Sequence, residues 1–123
     1  MTRRILIADD EPNIVVSLEF LMKREGFEVV TATDGEAALA ALAPTPPDLV
    51  LLDIMLPRMN GFEVCQRIRA NPEWRNVKVL MLSAKGRDTE IAKGLALGAD
   101  AYVTKPFSTK DLVAQVRQIL GPE

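Results

Sequence analysis

The chain has 123 residues, which is enough for one ordinary domain that buries a core without disulfides or a structural metal. Apolar residues make up 48% and charged residues 26% of the sequence, and this composition excludes the weakly hydrophobic, highly charged class of disordered chains. The formal net charge of -2 gives no general attraction to nucleic acid or to anionic membranes, so function must reside in local sites.

The histidine and cysteine content of the chain limits the reactions it can carry out and the compartment in which it is expected. The chain contains no histidine, which excludes serine-histidine-acid triads, histidine metal ligands and a phosphohistidine on this chain. The single cysteine, Cys65, cannot form an internal disulfide, and its helical surroundings favour a buried packing role. The apolar run that follows Arg4 is too short for a signal peptide, and no apolar run reaches transmembrane length. A reducing cytoplasm is therefore the expected location.

Strand and helix patterns alternate along the chain. Short apolar or β-branched runs predict five strands, over residues 4–8, 28–33, 48–53, 77–83 and 101–104. Amphipathic or alanine- and leucine-rich segments predict five helices, over residues 12–26, 34–43, 61–71, 88–98 and 108–120. Pro12 begins the first helix, Gly26 and Gly98 stop two of them, and Ser108 with Asp111 resembles an N-terminal capping box.

This alternation predicts one parallel sheet, because right-handed crossovers return each strand in the same direction. The carboxyl ends of all five strands then share one edge of the sheet. In such sheets ligands bind outside those ends, at the point where the strand order reverses. A functional site is therefore expected at the strand ends.

Five polar side chains stand at or just beyond the predicted strand ends: Asp9, Asp10, Asp53, Ser83 and Lys105. Each alone has an ordinary explanation. Asp9, Asp10 or Glu11 could be N-capping and first-turn acids before Pro12, and Asp53 could start a turn. The serine could be a small residue that closes a strand, and the lysine a loop charge without a partner. Their joint placement at one edge is the stronger argument for a site.

The chemistry of this group points to phosphate. Crowded carboxylates repel one another, which raises their pKa values or recruits a divalent cation. Mg²⁺ prefers oxygen ligands and commonly combines one or two carboxylates with phosphate oxygens. A carboxylate can also attack phosphorus and form an aspartyl phosphate, with Mg²⁺ and Lys105 neutralising charge and Ser83 donating a hydrogen bond to a phosphoryl oxygen.

Four segments carry a resemblance to a known family: ILIADDE (5–11), LVLLDIMLPRMNG (49–61), VLMLSA (79–84) and GADAYVTKPF (98–107). With them the chain resembles, over essentially its whole length, the receiver domain of two-component response regulators, typified by the chemotaxis regulator. The resemblance implies a flavodoxin-like α/β fold, a single doubly wound sheet of five parallel strands in the order 2-1-3-4-5 with five helices. It implies one receiver domain over residues 1–123, with no output domain in this chain.

The resemblance also implies a metal site. Asp53 matches the phosphoacceptor, and Asp10 and Asp53 match side-chain ligands of Mg²⁺. Met55 matches the position that contributes its backbone carbonyl, and Asp9 matches an acid that acts on the metal through water.

Further matches concern phosphate contact and switching. Ser83 and Lys105 match the hydroxyl and the lysine that contact the phosphoryl group, and Tyr102 matches an aromatic side chain that turns inward on activation. The bond between Lys105 and Pro106 is expected to be cis, which is affordable mainly before proline. On activation, the surface formed by the fourth helix, the fifth strand and the fifth helix would change shape.

Met55 and Lys85 flank the predicted acceptor, which gives the hypothesis that they screen or guide the water that removes the phosphate.

A dimer typical of winged-helix transcription factors is not expected. That dimer uses charge pairs on the switching surface, where Asp100 and Lys93 fit. Uncharged residues occupy three positions where charge is typical: Ile91, Ala101 and Gln115.

The leading hypothesis is a regulatory phosphoacceptor domain that takes a phosphoryl group from a sensor histidine kinase or a histidine phosphotransfer domain. It would catalyse only its own phosphorylation and dephosphorylation, and would signal to an output protein that the sequence does not identify. The chain stops after the last helix, so it would be a stand-alone regulator or a domain excised from a longer one. No membrane or direct nucleic-acid contact is expected, because the basic residues of the middle of the chain form a solvated face: Arg58, Arg67, Arg69, Arg75 and Lys78.

Two alternatives belong to other classes of protein. A Mg²⁺-dependent aspartyl-phosphate hydrolase of the haloacid dehalogenase type also uses a strand-end aspartate, but it normally carries a second acid where this chain has Met55. A flavodoxin-like binding module shares the sheet order, but three acids would repel a flavin phosphate and no glycine-rich loop follows the first strand.

Overall fold

The computed structural model describes residues 2–84 and 88–122. The strands are β1 (Arg4–Ala8), β2 (Glu28–Ala32), β3 (Leu49–Asp53), β4 (Lys78–Ala84) and β5 (Ala101–Lys105). The helices are α1 (Pro12–Arg24), α2 (Gly35–Leu42), α3 (Gly61–Ala70), α4 (Asp88–Ala96) and α5 (Thr109–Leu120). A short 3-10 helix that the sequence patterns did not indicate, Pro72–Trp74, precedes β4.

All five strands pair in parallel, in the order β2-β1-β3-β4-β5, which confirms the predicted doubly wound sheet. The order reverses between β1 and β3, where Ala8 pairs with Leu52. The residues that follow β1 therefore lie beside Asp53 at the end of β3, at the kind of switch point where ligands bind.

The core lies on both faces of the sheet. Because successive strand side chains point to opposite faces, Leu49 and Leu51 join the apolar cluster beneath α1 and α5, whereas Val50 and Leu52 join the cluster beneath α2 and α3. Every residue of β3 is buried, as its unbroken apolar run predicted. Within the described ranges no helix has the length and apolarity needed to cross a bilayer.

Helix and strand ends differ from the sequence predictions by one or two residues. β4 and β5 each run one residue further, because Ala84 and Lys105 still pair in register. Lys105 therefore belongs to the sheet and is not a loop residue. Ser108 accepts a hydrogen bond from the backbone N–H of Asp111 at 3.3 Å, so the predicted N-terminal cap of α5 forms.

Arg69 departs from the predicted solvated basic face. Its guanidinium donates to the carbonyl oxygens of Gly98 and Val77 at 2.8 and 2.7 Å and to Oδ2 of Asp100 at 2.8 Å. The same Asp100 oxygen accepts the N–H of Val79 at 2.8 Å. The solvated-face interpretation is therefore wrong for Arg69, because part-buried carbonyls before β4 and before β5 need donors and this side chain supplies them.

Candidate functional site

Three aspartates meet at the carboxyl edge of the sheet, where β1 and β3 are neighbours. Asp9 and Asp10 follow β1, and Asp53 ends β3. One carboxylate oxygen from each residue lies within 4.8 Å of the other two. Asp9 and Asp53 are buried, whereas Asp10 is exposed. The grouping fits one hard divalent cation, because it offers oxygen ligands to a charge that would offset three negative groups.

Asp9 is fully buried, and each of its two carboxylate oxygens faces a donor. Its Oδ1 accepts the N–H of Glu11 at 2.9 Å. Its Oδ2 lies 2.8 Å from Nζ of Lys105, a charge-assisted contact at hydrogen-bond distance. Buried polar atoms normally find partners, and here the backbone N–H of Glu11 and the ammonium of Lys105 supply them.

The helix-capping explanation of these first acids is wrong. The residue at the N-cap of α1 is Glu11, and its side chain makes no capping bond. Instead its Oε1 accepts a hydrogen bond from Nζ of Lys105 at 2.9 Å. Glu11 is thus a site residue that the sequence interpretation missed, and the signal was the third acid directly after the two aspartates.

Asp53 lies between a donor and a cation. Its Oδ1 accepts the N–H of Met55 at 3.1 Å, and its Oδ2 lies 3.5 Å from Nζ of Lys105. Burial raises the pKa of Asp53, the hydrogen bond from Met55 opposes that shift, and the neighbouring Asp9 and Asp10 charges raise the pKa further. The charge of Lys105 lowers the pKa, but the net result is a pKa above the ordinary value. Ionising Asp53 therefore costs more here than in water, and a bound cation would offset that cost.

The peptide bond between Lys105 and Pro106 is cis, and the Nζ atom of Lys105 lies among the acids of the site. Burial acts to lower the pKa of Lys105, but its contacts with Asp9 and Glu11 and the charge of Asp53 outweigh burial and raise that pKa above its ordinary value. The ammonium therefore stays charged throughout the physiological pH range. The explanation of Lys105 as a loop charge without a partner is wrong, because the sheet edge brings three acids to it.

The two residues that the family resemblance assigns to switching, Ser83 and Tyr102, lie on the neighbouring strands β4 and β5. Ser83 is buried near the end of β4, pairs with Thr104 and donates its hydroxyl to the carbonyl oxygen of Ala84 at 3.2 Å. Tyr102 lies on β5 and is 41% exposed. The serine hydroxyl is thus inside and the tyrosine ring outside in this structure.

Met55 is 62% exposed directly beyond the Asp53 end of β3. Lys85, its proposed companion, lies outside the described residues. A surface cavity of about 880 Å³ is lined by Phe62, Arg67 and Lys93, among others, and by none of the site residues. Cavity size therefore does not mark the site, which is a cluster of charges.

The chain matches known proteins over nearly its whole length. The model of the family described as the response regulator receiver domain matches residues 5–117. The alkaline phosphatase synthesis transcriptional regulatory protein PhoP of Bacillus subtilis is 44% identical over 120 residues, which cover 98% of this chain and 49% of that protein. The chain thus spans about half the length of this curated relative.

Solved structures show the same fold. A CheY-like response regulator receiver domain protein from Methanospirillum hungatei is 31% identical with a TM-score of 0.90, over 98% of this chain and 94% of that one. The receiver domain of the sensor histidine kinase PA1611 from Pseudomonas aeruginosa, solved with a magnesium ion coordinated in its active site cleft, is 25% identical with a TM-score of 0.90, over 99% and 100% of the two chains. These matches favour the leading hypothesis over the hydrolase and the flavin-binding module. The chain belongs to the receiver domain family of two-component response regulators.

Proposed function

We propose that this receiver domain accepts a phosphoryl group on Asp53 from a sensor histidine kinase or a histidine phosphotransfer domain. The observation that carries the proposal is the buried Asp53 carboxylate, with Lys105 at 3.5 Å and two further aspartates within 4.8 Å. Family membership supports it, because receiver domains receive phosphoryl groups from histidine kinases. The site of action would be the cytoplasm.

The donor set supports Mg²⁺ as the cofactor. The carboxylates of Asp10 and Asp53 and the backbone carbonyl of Met55 would hold the ion, with Asp9 acting through water. When bound, Mg²⁺ neutralises charge on the acids and on the phosphoryl oxygens. The three carboxylates within 4.8 Å of one another and the raised pKa of Asp53 are the observations that favour a cation here.

The residues of the chain suit an in-line transfer. Oδ1 of Asp53 is held by the N–H of Met55, which leaves Oδ2, facing Lys105, to attack the phosphorus atom. An oxygen–phosphorus bond forms, the nitrogen–phosphorus bond of the phosphohistidine breaks, and the electron pair stays on the imidazole nitrogen, which takes up a proton. Lys105 balances negative charge on the phosphoryl oxygens. Later attack of water on the phosphorus would break its bond to Asp53 and release inorganic phosphate. The domain would thus catalyse only its own phosphorylation and dephosphorylation.

Phosphorylation would shift an equilibrium between two side-chain arrangements. A phosphoryl group adds nearly two negative charges and three acceptor oxygens beside Ser83. The hydroxyl that donates to Ala84 would turn to a phosphoryl oxygen, and Tyr102 would occupy the vacated space. The surface of α4, β5 and α5 would then present a different shape to an output protein.

The donor protein would cover an apolar pair on α1. Val16 and Phe20 are 66% and 67% exposed and lie one turn apart on the same helix face. α1 begins at Pro12, immediately after the site acids, so this pair adjoins the edge where Asp53 is reached. An approaching histidine side chain needs a protein surface beside the site, and this patch offers one.

Transfer from phosphorylated histidine kinases tests the proposal. We expect label on the natural chain and none on Asp53→Asn. Phe20→Ala should slow transfer from a kinase by about tenfold, since an exposed aromatic residue at an interface commonly contributes more than 1 kcal/mol. The same variant should react with a small acyl phosphate at the unaltered rate. Label on Asp53→Asn at the rate of the natural chain would show that another residue is the acceptor.

A further inference from the structure

The loop that follows Asp53 is closed tightly at both ends. This loop, residues 54–60, connects β3 to α3 and contains Met55. The N–H of Ile54 donates to the carbonyl oxygen of Leu82 at 3.2 Å, and the N–H of Gly61 donates to that of Ile54 at 2.9 Å. A Cβ atom on Gly61 would overlap the carbonyl oxygen of Asp53. The loop is therefore pressed against the strand end that carries the proposed acceptor.

The middle of the loop rests on the beginning of α2, an element that contributes no side chain to the site. The N–H of Gly35 donates to the carbonyl oxygen of Pro57 at 3.3 Å. A Cβ atom on Gly35 would overlap the carbonyl oxygen of Met59 and would lie 2.6 Å from Met59 Cβ. Such separations are shorter than van der Waals contact, so any side chain at position 35 must displace either the loop or the helix.

The part of the loop that contacts α2, residues 57–59, is a tight turn. The N–H of Met59 donates to the carbonyl oxygen of Pro57 at 2.7 Å, and Arg58 between them has a φ of 68°. This is a γ-turn in a region of φ that a non-glycine residue adopts only when its surroundings demand it. Nε of Arg58 lies 3.6 Å from Oδ2 of Asp34, whose Oδ1 accepts the N–H of Ala37 at 2.7 Å. Because Arg58 is largely exposed, this ion pair is weak, and the backbone contact at Gly35 is the stronger constraint.

We propose that Gly35 is a positioning residue for the metal site. By allowing α2 to lie against the turn at residues 57–59, Gly35 fixes the loop so that the peptide groups around Met55 face the aspartates. Its effect passes through the loop, since Gly35 touches neither the acids nor Lys105. The inference rests on the proposed function, in which the Met55 carbonyl is a ligand of Mg²⁺.

The test compares Gly35→Ala with Gly94→Ala, measured as the Mg²⁺ dissociation constant by calorimetry. Gly94 in α4 is a matched control, because its new Cβ would lie 3.4 Å from the flexible Cε end of Met81. We expect Gly35→Ala to weaken Mg²⁺ binding by about tenfold, the usual effect of losing an outer support, with Gly94→Ala within about twofold of the natural chain. In chelator, amide hydrogen exchange at residues 54–60 should be faster in Gly35→Ala alone.

A folded Gly35→Ala domain with unaltered Mg²⁺ affinity and unaltered exchange would overturn the inference. A natural chain that binds no Mg²⁺ would contradict the proposed function as well, so the two failures are distinguishable. If Gly35→Ala does not fold, Asp34→Ala replaces it, with Asn71→Ala as the control that removes the same kind of cap bond from the 3-10 helix. Weaker Mg²⁺ binding in Asp34→Ala than in Asn71→Ala supports the inference, and equal affinities overturn it.

Discussion

Among single residues, Asp53 links stability most directly to the proposed chemistry. Its pKa is raised in the folded protein, chiefly by burial. A carboxyl group of this kind favours the folded state below its unfolded pKa, near 3.8, and that contribution is lost as the pH rises through the folded pKa. At neutral pH the ionised carboxylate therefore costs stability, as is common for a group kept for function.

We predict that Asp53→Asn raises the melting temperature by a few degrees at pH 7 in chelator, because the variant removes a buried charge. The gain should shrink as the pH falls towards the unfolded pKa of the carboxyl group, and also when Mg²⁺ is added to the natural chain. Differential scanning calorimetry across pH measures both trends. Asp111→Asn, at an exposed acid of α5, is the control and should give no gain. A lower melting temperature for Asp53→Asn would contradict this account of the site.

Met55 is a second single residue with a testable role, because its exposed side chain stands next to Asp53. We predict that Met55→Asn shortens the lifetime of the phosphorylated form severalfold, since a polar amide can hold the attacking water that a thioether excludes. Intact mass followed over time after removal of the phosphodonor gives the decay rate. The same substitution at the exposed Val16 should leave decay unaltered. An unaltered rate in Met55→Asn would refute the screening role.

The sequence predicted the strand-end acids and Lys105, because a parallel sheet brings all carboxyl strand ends to one edge. It did not predict the contact of Glu11 with Lys105, nor that of Gly35 with the loop. Both depend on how a side chain or a loop lies in three dimensions, and no local pattern of residues encodes that placement.

At the scale of elements, Arg69 ties α3 to the start of β4 and to the turn before β5. It bonds to Val77, just before β4, and to Gly98 and Asp100, which lie 29 and 31 residues further along the chain. In the sequence Arg69 is one basic residue among several, and charge alone does not show which arginine faces unpaired carbonyls.

We predict that Arg69→Ala lowers the free energy of unfolding by about 1–3 kcal/mol, since it leaves partly buried acceptors without donors. Arg69→Lys should recover little, because one ammonium group cannot span three acceptors as the guanidinium does. Arg67→Ala is the control, since Arg67 pairs with Glu63 in an exposed contact worth about 0.5 kcal/mol or less. Urea unfolding measures all three variants. Equal losses for Arg69→Ala and Arg67→Ala would show that the ties contribute nothing.

For the whole molecule, alternating strands and helices predicted a parallel sheet but left its strand order open, because several orders satisfy right-handed crossovers. The order 2-1-3-4-5 came from the family resemblance, and the structure confirms it. The alternation of strands and helices thus predicted the class of fold, and the family motifs predicted its strand order.

Dimer formation also concerns the whole molecule. The two residues that fit a charge-paired dimer have partners within the chain: Asp100 bonds to Arg69, and Nζ of Lys93 lies 4.6 Å from the centroid of the Phe62 ring. We predict that the phosphorylated domain sediments as a monomer at micromolar concentration. A tight dimer of the phosphorylated form, absent before phosphorylation, would contradict this prediction.

The central claim is that Asp53 accepts a phosphoryl group in the presence of Mg²⁺. The most direct measurement is the intact mass of the chain after incubation with Mg²⁺ and a small acyl phosphate, beside Asp53→Asn and a chelated sample. We predict the gain of one phosphoryl group in the natural chain with Mg²⁺ and no gain in either control. The claim would be contradicted by folded natural chain that gains nothing, or by Asp53→Asn that gains the same mass.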